Sequence, residues 1–173
     1  MKKAFVCLLT ALILFSFCAC SVQTDFDIYD LCKRFNVLKD EKILSTEMFV
    51  SDGNGVLYCF YTVGETRLLI SVTQEENGRI TGMSVTVPKE TYSENEKKQV
   101  ADEIKNIFSA YFYGETERAE EIFSQAGIDD EFELFSDYFS EIEDDKDSFT
   151  VYSNPYAVTF TTEKMKNPLE EVH

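Results

Sequence analysis

Two short turns between residues 56 and 87 constrain this chain more than any other feature. Each fixes the register of a β-hairpin, and the two registers agree. Gly64-Glu65 separates alternating apolar runs at 56–63 and 66–73, and Asn77-Gly78 separates the second run from 79–87. Gly and Asn tolerate the positive φ that two-residue hairpin turns require. The first turn pairs Tyr61 with Leu68, Cys59 with Ile70 and Leu57 with Val72. The second sets Val72 opposite Met83, Ile70 opposite Val85 and Leu68 opposite Val87. Both place one apolar set on one face, and a one-residue slip in either would turn that set to the other face. A strand over 47–51, ahead of Asp52-Gly53-Asn54-Gly55, completes a four-stranded meander.

Helical spacing surrounds it. Thr24 caps a first helix carrying Ile28, Leu31, Cys32, Phe35 and Leu38 on one stripe. Ser93 and Glu96 form a capping box ahead of Val100, Ile104, Ile107, Phe108 and Tyr111, which end at Gly114. Thr116 opens a shorter helix with Ala119, Ile122, Phe123 and Ala126 inward, and Ile128, Phe132, Phe135, Phe139 and Ile142 stripe a third after the meander. A hairpin turning at Asn154-Pro155 closes the chain, pairing Val151 with Val158 and Phe149 with Phe160. The order α-β4-α3-β2 predicts an α+β fold, an antiparallel β-meander with helices packed on one face in two layers. One domain spans 25–163, and 164–173 reads as a polar tail.

Composition excludes several partners. The chain carries 32 acidic and 16 basic residues, a formal charge of −16. Such a surface repels phosphate, so nucleic acid is excluded. Apolar residues make up 44%, with 15 Phe and 9 Tyr, enough for a packed core. The only histidine is His173, at the end of the expected tail, which removes histidine-based nucleophilic and metal sites. Asp52 and Asn54 mimic the opening of a calcium loop, but Val56 and Tyr58 occupy later ligand positions. The acidic run Glu141, Glu143, Asp144, Asp145, Asp147 reads as a solvated connector. No carboxylate pair can be nominated for hydrolysis, so the expectation is a non-enzyme without metal or cofactor.

Two further features concern binding and redox state. Opposite the apolar face of the meander stand Phe49, Tyr58, Phe60 and Leu69, beside Arg67. The first expectation is that the C-terminal hairpin or a helix covers them, since aromatics on strands usually belong to a core. The alternative is an exposed face for a partner or ligand. Cys32, on a helix stripe, and Cys59, on a strand face, are either small buried hydrophobes or a disulfide pair.

The N-terminus addresses location. Lys2 and Lys3 precede an apolar run from Ala4 to Phe17, 14 residues and too short to span a bilayer. Cys18-Ala19-Cys20-Ser21 follows. This stretch resembles a bacterial lipoprotein signal, with Phe17 where that family prefers Leu, Val or Ile. The resemblance covers residues 1–20 only. It implies a signal peptide over 1–19, lipid on Cys20, a short tether at 20–24 and a place on the extracytoplasmic face of the cell membrane. Removing 1–19 takes two lysines and no acid, leaving −18. The expected role is a non-catalytic accessory module that binds an envelope protein, and the alternative is a carrier or sensor of a small apolar ligand.

Overall fold

The computed structural model describes residues 26–89, 92–126, 128, 139–143 and 147–164. Among them, Ile28–Lys39 forms helix α1, Thr46–Met48 a turn of 3-10 helix, and Val50–Ser51, Val56–Val63, Thr66–Gln74 and Ile80–Pro88 strands β1 to β4. Helices α2 (Glu94–Tyr111) and α3 (Thr116–Gln125) follow, then strands β5 (Phe139–Glu143), β6 (Asp147–Ser153) and β7 (Ala157–Lys164). The fold is α+β. Its single antiparallel sheet has the order β1-β2-β3-β4-β7-β6-β5, so two meanders join edge to edge through β4 and β7.

The meander registers match those fixed by the turns: Tyr61 with Leu68, Cys59 with Ile70, Val72 with Met83 and Ile70 with Val85. A bulge at Thr73/Gln74 absorbs one residue before the Asn77-Gly78 turn. Gly78 adopts φ 87°, a left-handed conformation that a side chain would strain. The apolar alternation fills the core: Leu68, Val72, Val85, Val87, Val151 and Phe160 are fully buried. Phe108 from α2 lies against Phe149 and Phe160, and Phe123 from α3 stacks on Phe160 at 5.8 Å. The capping box opens α2 as expected, Ser93 accepting from the Glu96 amide and Glu96 from the Ser93 amide.

Several local expectations are corrected. The α1 cap is Asp27, whose carboxylate accepts from the Asp30 amide at 2.9 Å, while Thr24 lies outside the described residues. The stripe drawn through Phe139 and Ile142 is not helical there: 139–143 is an edge strand paired with β6, so three strands close the domain rather than two. Alternation at Phe139, Glu141 and Glu143 against Ser140 and Ile142 suits a strand equally well, and a short run cannot arbitrate between periods. Phe132 and Phe135 lie outside the described residues, as does most of the expected tail.

The closing hairpin also slips by two residues, to Val151 with Phe160 and Phe149 with Thr162. Asn154 is the cause. Its Oδ1 accepts from the amides of Tyr156 and Ala157, and its own amide donates to the Ala157 carbonyl, closing a longer loop than Asn154-Pro155 alone. An even slip preserves both faces, so the core survives the error.

One buried polar network ties α2 to α1 and β2. Glu103 on α2 is 4% exposed. It accepts a hydrogen bond from the Tyr61 hydroxyl on β2 and pairs with Lys39 at the end of α1 at 2.7 Å. Burial, helped by the Glu103 carboxylate, raises the Tyr61 pKa well above the usual phenol value. Burial, with Asp147 nearby, does the same to Tyr111 on the far end of α2.

Candidate functional site

The open face of the sheet is the candidate. The C-terminal hairpin does not fold over the meander but extends it, because β7 pairs with β4. The expected cover is therefore absent among the described residues, and Tyr58 and Phe60 are exposed at 37% and 65%. Leu69 lies half-buried between Phe60 and Thr86, its two cross-strand partners.

Phe49 is not part of this face. Residues 46–48 form a 3-10 turn instead of strand, and β1 is only Val50–Ser51. Val50 stands opposite Tyr58, which puts Phe49 on the other side, packed against the core. Val50 replaces it on the open face at 69% exposure. Ser51 pairs with Leu57 rather than Val56, so the loop is one residue longer than Asp52–Gly55 and the register across it moves by one, which exchanges the two faces before it.

Following the registers across the sheet gives one continuous row: Phe60, Leu69, Thr86, Thr159, Tyr152, Phe139. Tyr152 and Phe139 are exposed at 53% and 62%. The two central hydroxyls bond to each other, Thr86 Oγ1 to Thr159 Oγ1 at 3.1 Å. A parallel row runs Tyr58, Ser71, Ser84, Thr161, Thr150, Glu141. Glu141 is the sole charged residue in the two rows. The flanking rows of the same face carry Arg67, Glu143 and Glu163, so its charges lie around the two central rows. The aromatic pair on the second meander was missed in the sequence because Phe139 was assigned to a helix stripe. Tyr152 alternates with Val151 and Ser153, and that alternation was the available signal.

The other singled-out residues serve structure. Asp52 Oδ1 accepts from the amides of Asn54 and Val56, bonds that hold its carboxyl below the usual range and shape a turn. No group of three or more metal-ligating side chains gathers among the described residues. Of the acidic run, Glu141 and Glu143 lie on β5 and Asp147 is buried against Arg118 at 2.7 Å. A groove of about 800 Å³ between α1 and the loop after it is open to solvent and lined by Lys33, Asp40, Glu41 and Lys42 beside Val37 and Ile43. It is open rather than enclosed, whereas a carrier site is an enclosed, mostly apolar cavity. Asn36 builds its wall by accepting from the amides of Ile43 and Leu44 and donating to the Leu44 carbonyl.

Cys32 and Cys59 are free thiols, 4% and 1% exposed. Burial pushes Cys32 up to about 12 from 9.0, with Cys59 contributing, and raises Cys59 too. A thiol reagent at pH 8 should therefore modify neither residue until the chain unfolds, when both react. Alkali should have the matching effect on stability. In the unfolded chain these thiols ionise near 9 and the tyrosines near 10, whereas the folded state keeps Cys32, Cys59, Tyr61 and Tyr111 protonated. The unfolded state then holds fewer protons, so stability is fully present below pH 9 and falls as pH rises from 9 towards 12. Urea midpoints measured between pH 7 and 11 should be level at first and then decline, and a flat profile would refute the assignment.

No family model, curated protein or solved structure matches this chain.

Proposed function

We propose that this protein is a non-catalytic binding module tethered to the outer face of the cell membrane by lipid on Cys20, and that it engages an envelope partner through the open sheet face. One observation carries the binding half: Phe60, Tyr152 and Phe139 stand exposed on one sheet face, in a row with a single chain of cross-strand partners. Exposed rings offer large contact area with little conformational entropy to lose. The tether half rests on residues 1–20, which lie outside the described residues.

Two experiments test the halves separately. Palmitate labelling should mark the wild type and not Cys20→Ala, and equal labelling of both would remove the tether. For the face, Phe60→Ala and Tyr152→Ala should change unfolding free energy by less than about 0.5 kcal/mol, as exposed substitutions do. The same variants should fail to recover whatever the wild type retains from its native envelope. Retention unaffected by either variant would remove the face.

A further inference from the structure

We infer that Arg34, Lys164 and the Tyr113 hydroxyl form an anion site for a phosphate group, separate from the open sheet face. Three elements bring these residues together: Arg34 stands on α1, Lys164 ends β7, and Tyr113 follows α2. Phe26 is the floor, 1% exposed, with its ring 5.3 Å from that of Tyr113. The Arg34 guanidinium lies over both rings, 4.6 Å from Phe26 and 4.2 Å from Tyr113. Lys164 Nζ lies 5.8 and 5.6 Å from the same two centroids. Two cations thus share one ring pair in a chain of charge −16. Neither has an acidic partner among the described residues. Arg34 Nη1 is buried without any hydrogen bond. Asp147 sits opposite Lys164 on β6 but pairs with Arg118 at 2.7 Å, and Asp30, one turn before Arg34, makes no ion pair with it. The carbonyl end of α2 also attracts cations. Its carbonyls are already engaged, however, by the amides of Phe112, Gly114 and Glu115.

The donors left over fit phosphate. Stacking on two rings holds the half-buried guanidinium in place, so its fork loses little freedom on meeting two oxygens. Lys164 donates to the Tyr113 hydroxyl oxygen at 3.4 Å, which leaves the phenol proton free to donate outward. A tetrahedral phosphate accepts from three directions at once, where a carboxylate offers two coplanar oxygens. The rest of the acidic surface repels a polyanion. Its field is screened over about 8 Å at physiological salt, so a single phosphate group responds to the two cations beside it. A lipid headgroup is the source within reach, and this step rests on the tether proposed above. Phe26 is six residues from Cys20, a stretch that spans at most about 20 Å when fully extended.

The test follows the Arg34 Nε–Hε resonance, one of four arginine signals, in the full-length protein in lipid nanodiscs. In phosphatidylcholine discs, added inorganic phosphate should move that signal to saturation, and acetate should need about tenfold more. Discs of equal parts phosphatidylcholine and phosphatidylglycerol should move it with no phosphate added. Lys164→Ala should weaken the phosphate response about tenfold and Tyr113→Phe about threefold. Lys98→Ala, exposed on α2, removes the same charge and should leave the response unchanged. No movement with either phosphate source overturns the site, as does a response indifferent to Lys164→Ala. Acetate acting as well as phosphate overturns the phosphate assignment. A response to inorganic phosphate but not to phosphatidylglycerol keeps the site and overturns the lipid source. A wild type without palmitate label that still answers inorganic phosphate removes the tether and keeps the site.

Discussion

Phe108→Ala should lower the unfolding free energy by about 3–5 kcal/mol, the largest single effect expected in this protein. Phe108 is fully buried on the inner side of α2. Its ring meets Phe123 at 5.7 Å and Phe149 at 5.3 Å edge to face, and lies within 6.5 Å of Phe112 and Phe160. Those four rings come from α3, β6, the α2 terminus and β7, so the cavity cannot close without moving several elements. Edge-to-face pairs add about 0.5–1.5 kcal/mol each beyond area burial, which places the cost toward the upper end. Urea unfolding followed by tyrosine fluorescence should show the midpoint fall with the slope unchanged. A loss below about 1.5 kcal/mol would mean that the aromatic cluster is not the packing centre.

Glu103→Ala should cost about 2–4 kcal/mol for a different reason. The side chain joins three elements: it accepts from Tyr61 on β2 and pairs with Lys39 on α1 from its place on α2. Truncation leaves the Tyr61 hydroxyl, in a residue only 6% exposed, without its acceptor. Lys39 retains some water at 29% side-chain exposure, which is why the upper limit for a buried pair is not reached. Glu103→Gln keeps an acceptor for Tyr61 and loses only the charge, so it should cost roughly half as much. Tyr61→Phe removes the donor itself, and a double-mutant cycle with Glu103→Gln should give a coupling of about 1 kcal/mol. Equal costs for Ala and Gln would show that charge, not hydrogen bonding, is what the site needs.

Apolar patterning carried the fold a long way. Tyr61, Leu68, Ile70, Val72, Met83 and Val85 were assigned to one face from two turns, and all six are buried. Failures came where short segments obey two periods at once. Phe139 and Ile142 fit a helix stripe by spacing, yet pair with β6 as an edge strand. Phe49 changed sides because the turn before β2 takes up Val56 as well, an odd register shift that exchanges faces. In the hairpin, Asn154 uses its side chain to lengthen the loop, and the register moved by two.

The candidate face shows the same division. Tyr58, Phe60 and Leu69 were placed together by strand alternation alone, which is a local property of the chain. Whether they were covered was not local. A second face becomes core or surface according to whether the closing strands fold over the sheet or add to its edge. Here the pairing of β7 with β4 decides it, a contact between residues 69 to 81 positions apart. The same pairing brings Tyr152 and Phe139 into line with Phe60. The sequence by itself determined the faces of the first meander and the helix stripes through α2 and α3, because these depend on neighbours a few residues away. Only the tertiary structure decided that, among the described residues, the face is uncovered and runs across two meanders, because long-range strand pairing sets which edges meet.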